Sequence, residues 1–175
     1  MTTYTLSKTS PQNTTLIDPN GTVAYDISST YHLGGSNTTI KKGDQILAVI
    51  HWKAFQQSTI TWNGQTTTIK EIFPRSKALS TSRIYTAPSG EQFKWKCSPK
   101  LYCVMAETGL NLATYDRTHF YLVRSKKSTL DITSDGAHLT DALVVTWAIA
   151  EKKARDRRRS RRHGGGGGGG GGDGG

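Results

Sequence analysis

The chain has 175 residues, a formal net charge of +10, 34% hydrophobic residues and two cysteines. Residues 164–175 are glycine apart from Asp173. This tract has no core-forming side chains and loses much backbone entropy on ordering, which leaves about 160 residues, enough for one domain and too few for two. Residues 151–163 hold eight Lys/Arg against two acidic residues, so the basic character sits in a tail and points to an acidic partner for that tail rather than to a basic fold.

Residues 1–13 are polar and lack the apolar stretch of a secretory signal, which predicts a cytoplasmic location. From Tyr4 to Ile132 short Thr/Ile/Val/Tyr runs alternate with turn signals: Asp18-Pro19-Asn20-Gly21, Lys42-Gly43-Asp44, Asn63-Gly64, Pro88-Ser89-Gly90, Ser98-Pro99-Lys100 and Thr108-Gly109. Pro presets φ at a turn's start and Gly or Asn takes the positive φ that ends it, so this spacing predicts roughly twelve antiparallel strands. A two-residue turn at Asn63-Gly64 pairs Trp62 with Gln65 and Ile60 with Thr67, with Ile60, Trp62 and Ile69 on one face.

Three-residue loops at Pro88-Ser89-Gly90 and Ser98-Pro99-Lys100 set Tyr85 opposite Phe93, Arg83 opposite Trp95, Cys97 opposite Leu101 and Trp95 opposite Cys103. All then point inward, while Lys94, Lys96 and Tyr102 point outward. Cys97 and Cys103 sit diagonally, about 7–8 Å apart, which is longer than a disulfide usually tolerates, and read as buried free thiols, the alternatives being a redox pair or a metal site. Arg83 is the polar exception on this apolar face. It either stacks on Tyr85, Phe93 or Trp95 or pairs with a helix carboxylate such as Asp141, and this core role is the favoured one. At the barrel mouth it would instead contact an anion.

Ser134 or Asp135 is expected to cap a helix from about Ala137 to Arg157. Leu139, Ala142 to Val145 and Trp147 to Ala150 surround its axis, so the helix is buried all round or lies in a membrane. The block from Ala142 to Ala150 is about 13 Å long, whereas a bilayer core is about 30 Å thick. No transmembrane span is expected. The reading is an all-β fold with one helix: a roughly twelve-stranded antiparallel barrel that closes around Leu143 and Trp147, with Arg83, Tyr85, Phe93 and Trp95 as structural core. Residues 1–158 form the domain and 159–175 a disordered Arg/Gly-rich tail.

A strand barrel threaded by a C-terminal apolar helix resembles the tubby C-terminal-like fold of tubby proteins, LURP-one-related proteins and phospholipid scramblases. More closely, the stretches DPNGTVAYDI, QILAVIHW, SRIYTAPSGEQFKWK and LTDALVVTWAIAEKKARDRR resemble a fungal family of uncharacterised domains, over about residues 3–158. The resemblance implies the barrel and, from its tubby and scramblase members, an association with phosphoinositides or membranes. None of their ligand residues maps onto this chain.

The five histidines, His32, His51, His119, His138 and His163, have no metal or triad spacing, and no phosphate-binding loop is present. His138 and Asp141 share a helix face, which reads as a capping or exposed pair. A non-enzymatic domain without cofactor or metal is expected. Its candidate anionic-lipid patch comprises Lys94, Lys96 and Lys100 on the outward face, with Arg124, Lys126 and Lys127 beyond. The tail cations, Lys152, Lys153, Arg155, Arg157, Arg158, Arg159, Arg161 and Arg162, suit an anionic membrane or a phosphoinositide. The alternative is a nuclear or RNA-associated adaptor whose tail contacts nucleic acid.

Overall fold

The computed structural model describes residues 1–78, 80–97, 100–117 and 127–163. Twelve strands come first: β1 (Thr2–Leu6), β2 (Thr14–Ile17), β3 (Val23–His32), β4 (Gly35–Lys42), β5 (Gln45–Lys53), β6 (Thr59–Trp62), β7 (Gln65–Thr68), β8 (Arg83–Thr86), β9 (Gln92–Cys97), β10 (Leu101–Met105), β11 (Asn111–Asp116) and β12 (Thr129–Ile132). A one-turn helix, α1 (Ile69–Ile72), separates β7 from β8. A 3₁₀ turn (Ala137–Leu139) leads into the long helix α2 (Thr140–His163).

The strands form one antiparallel sheet in the order β7-β6-β5-β4-β3-β2-β1-β12-β11-β10-β9-β8. The expected registers hold: Trp62 pairs with Gln65, Arg83 with Trp95, and Trp95 with Cys103. Asn63 and Gly64 both take positive φ, the left-handed geometry that a type I′ turn requires. Cys97 and Cys103 are free, and burial raises the Cys103 thiol pKa well above its ordinary value.

The sheet curls around α2. Leu143 to Ala150 are all buried, and the ring of Trp147 lies 5.2 Å from that of Tyr115 on β11. Trp95 Nε1 donates to Thr146 Oγ1 at 2.9 Å, and that hydroxyl donates to Ala142 O, whereas Trp147 Nε1 is buried without a hydrogen-bond partner among the described residues. A helix apolar on every side is thereby buried on every side.

The structure meets one expectation with a refinement and corrects three. First, the expected twelve-stranded antiparallel sheet around one helix is present, with its ladder open between the edge strands β7 and β8. The seam between them is covered by α1 and the segment after it, with Ile84 N donating to Pro74 O at 3.0 Å. Second, Ile69 does not prolong β7. Thr68 and Glu71 form a capping box, satisfying backbone donors that a strand end would leave unpaired, and start α1 there.

Third, neither Ser134 nor Asp135 caps the long helix; Gly136 precedes its 3₁₀ turn and no side chain caps it. A Cβ at Gly136 would meet Leu112 O at 2.7 Å, so the chain enters the core where only glycine fits. Fourth, the helix continues through Arg159–His163, so a boundary at residue 158 falls inside it. Residues 164–175 lie outside the described residues.

Candidate anion site at the mouth of the curled sheet

Strand direction decides which side chains meet. β1, β3, β5, β7, β9 and β11 end at the same rim of the sheet at which α2 emerges, and β8 begins there. The turns that carry Asp18, Asp44, Glu91, Glu107 and Asp135 lie at the other rim. The domain is therefore basic at the mouth and acidic at its base.

At the mouth a cleft of about 340 Å³ is lined by Lys53 at the end of β5, Gln56, Gln57 and Ser58 on the β5–β6 loop, Ile69 and Lys70 on α1, Arg83 on β8 and Lys153 on α2. A second cleft of about 560 Å³ shares Lys70 and Arg83 and adds Arg75 and Lys77. Among the described residues, neither lining contains a carboxylate. Glu71, next to Lys70, is engaged elsewhere: Thr67 and Thr68 donate to its carboxylate, which lowers its pKa.

Arg83 is the centre of this arrangement. Its Nη1 donates to Phe73 O at 2.6 Å and its guanidinium lies 6.0 Å from the Phe73 ring centre. Its Nε is buried without a hydrogen-bond partner among the described residues. Burial first, then repulsion from Arg75 and Arg157, pushes its pKa down to about 10. Both sequence readings of Arg83 thus contain part of the answer, since it is half-buried on the inner face and also borders the mouth. The suggested partners are corrected. Its ring contact is Phe73, brought close by α1, and Asp141 sits at the base, accepting from Tyr25 Oη at 2.5 Å and from Lys42 Nζ at 2.9 Å. His138 likewise pairs with Glu91 at 2.9 Å instead of with Asp141.

The basic tail is not one uniform feature. Glu151 is buried, and Arg155 and Arg158 both bond to it, at 2.6 and 3.0 Å. Arg155 also donates to Thr9 O. Lys152 pairs with Asp156 at 2.7 Å. Lys153 and Arg157, one helical turn apart, face Arg83 instead, and both border a small gap beside Trp95. Lys153 Nζ is 5.8 Å from the Trp52 ring centre. Burial, then the neighbouring Arg83 charge, pushes its pKa down to about 8. Arg159, Arg161 and Arg162 remain exposed on the last turns.

Lys94 and Lys96 lie on the outer face of β9, where Lys96 Nζ is 5.8 Å from the Tyr102 ring centre, and Lys100 and Lys127 are exposed. None of them lines either cleft. Arg124 and Lys126 lie outside the described residues. Among the described residues, no three His, Cys, Asp or Glu side chains converge as a metal site would require, and no helix is long and apolar enough to cross a membrane.

The model of a family of unknown function, DUF6593, matches residues 9–156. The chain belongs to the DUF6593 family. The match takes in every described strand of this DUF6593 domain except β1, and α2 as far as Asp156. No curated protein matches the sequence. An X-ray structure of a protein from Arabidopsis thaliana is similar over 85% of this chain and 90% of that one, at 8% identity and a TM-score of 0.45.

Proposed function

We propose that this DUF6593 domain is a non-enzymatic binding module that takes the phosphate of an anionic phospholipid in the mouth cleft. The observation that carries the reading is Arg83: a half-buried guanidinium, one nitrogen of which has no partner among the described residues, faces Lys153, Lys53 and Lys70 with no carboxylate among the described lining residues. Buried polar groups are ordinarily satisfied, and clustered like charges raise one another's energy. A bound phosphate would relieve both by offering several acceptor oxygens and negative charge to preorganised donors. The strand-wrapped helix also supports the tubby-like reading, in which phosphoinositides are the lipids of choice.

The test is co-sedimentation with phosphatidylcholine vesicles, plain or containing phosphatidylserine or a phosphoinositide. Binding is expected only to the charged vesicles, and K53E/K70E is expected to weaken it by at least about tenfold, since each basic residue near an anionic surface contributes about 1 kcal/mol. Undiminished binding by K53E/K70E would move the site out of the cleft. Absent lipid binding together with binding of a single-stranded RNA through Arg159, Arg161 and Arg162 would instead establish the nuclear or RNA-adaptor reading.

A further inference from the structure

Two large apolar side chains project from this same rim. Leu33, at the tip of the β3–β4 hairpin, is fully exposed, and Phe55, on the β5–β6 loop, is 96% exposed. The two turns are tied together, with Ala54 N donating to Gly34 O at 2.9 Å and Gly35 paired with Lys53. Phe55 sits between Lys53 and Gln56, both of which line the basic cleft.

Neither side chain serves the fold. Single exposed apolar residues are common and need no explanation, and Val23, Ile46 and Leu110 are partly exposed at the acidic base. Leu33 and Phe55 differ in being nearly fully exposed, on adjoining turns, and beside a cluster of cations whose described neighbours in the cleft include no carboxylate. They are convex knobs rather than walls of a groove, a shape that a fluid apolar layer accepts and that a folded protein partner would need a preformed pocket to receive.

We infer that the domain docks mouth-first on an anionic bilayer, with Leu33 and Phe55 inserted below the headgroups while the cleft cations engage the phosphates. This inference rests on the anionic-lipid reading of the cleft. The two contributions act at one plane: apolar insertion supplies affinity that does not depend on salt, and the cations select anionic lipid. The geometry stands the long axis of α2 roughly upright on the membrane, and the acidic base faces away from it.

The experiment uses the full chain and L33S/F55S, with phosphatidylcholine–phosphatidylserine vesicles and, separately, soluble inositol hexakisphosphate as probes. L33S/F55S is expected to bind vesicles about tenfold or more weakly, a loss on the scale of the apolar area withdrawn from the bilayer, and to bind the soluble phosphate as the parent does. In parallel, F55W adds an exposed indole to a protein whose four tryptophans are all buried. Its emission is expected to shift to the blue on vesicle addition and to be quenched by brominated acyl chains. Wild-type vesicle binding by L33S/F55S, or an unquenched Trp at residue 55, overturns the docking inference and leaves the cleft reading standing. Binding of the soluble phosphate without any vesicle binding overturns both the docking inference and the phospholipid as ligand, and leaves only an anion site in the cleft. Failure of the parent to bind either probe overturns both.

Discussion

The rings of Trp62 on β6 and Tyr85 on β8 stack 5.0 Å apart at 23° across the seam where the sheet's ladder is open. Side-chain packing therefore joins the β6–β7 hairpin to β8, which backbone pairing leaves apart. Tyr85 in turn packs on Phe93, at 5.1 Å, so the stack continues into the core beside α2. Closing the seam hides the apolar inner faces of β6 and β8, and the segment after α1 runs along β8, with Ile84 N donating to Pro74 O and Arg75 bridging Arg83.

Trp62→Ala is therefore expected to destabilise the domain by about 3–5 kcal/mol, the usual cost of truncating a buried aromatic. Tyr85→Phe, which keeps the ring, should cost less than about 1 kcal/mol. Urea denaturation of both variants checks this. Equal losses would show that the stack does not hold the seam.

Glu151 is a buried carboxylate with two guanidinium partners, Arg155 and Arg158. Removing the partners leaves an uncompensated buried charge, so ending the chain after Ala154 is expected to cost about 3–5 kcal/mol. Ending it after Arg158 keeps both bonds and should cost less than about 1 kcal/mol. The comparison by denaturant midpoint matters for lipid assays, because the shorter truncation confounds unfolding with loss of charge.

Lys153 has opposite pH signatures in stability and in binding. Its folded pKa of about 8 lies below its ordinary 10.5. Between those values the unfolded chain binds more protons than the native one, so Lys153 makes stability rise with pH through that window; below it both states are protonated and the cost of burying the ammonium is present in full. Anion binding favours the ammonium, so affinity for phosphatidylglycerol vesicles, whose phosphodiester does not titrate in this range, is expected to fall as pH rises through about 8. Lys153→Arg should remove the fall, because arginine keeps its charge. A flat wild-type profile would count against Lys153 as a contact.

Charge reversal on the outer sheet provides the contrast. K94E/K96E changes residues that line neither cleft and should leave vesicle affinity within about threefold of wild type, a difference on the scale of screened surface charge. A loss equal to that of K53E/K70E would return the site to the outer face of β9.

Gly35→Ala is expected to destabilise by about 2 kcal/mol or more, because the added Cβ would lie 2.0 Å from Trp52 O and must push β4 from β5. A thermal melt reads this directly, and an unchanged melting temperature would mean that the two strands separate there without cost.

Local signals were legible in the sequence because their causes are local. Asn63-Gly64 dictates a type I′ turn, the turn dictates the Trp62–Gln65 register, and alternation then places Ile60 inside. The same reasoning carried Arg83, Tyr85, Phe93 and Trp95 to one face, and an all-apolar helix surface required a wrapping sheet. Alternation fails where the ladder slips: between Cys103 and Val104 the register shifts and both residues are buried, which period-two patterning cannot show. Thr68-Ile69-Lys70-Glu71 did carry a capping-box signal for α1, hidden by the β-rich threonine run before it.

The candidate site depended on contacts that no local rule encodes. Lys53, Lys70, Arg83 and Lys153 come from four separate elements and meet only because the antiparallel order sends those strand ends, and the end of α2, to one rim. The tail's arginines looked alike in sequence, yet burial of Glu151 binds Arg155 and Arg158 into the core and leaves Lys153 and Arg157 facing Arg83. Sequence alone determined the strand-and-helix composition, the hairpin registers and the helix's need for complete burial, since these follow from turn chemistry and side-chain periodicity. Tertiary structure alone decided which charges are neutralised and which meet no counter-charge among the described residues at the mouth, because charge pairing and desolvation depend on distances between residues remote in the chain.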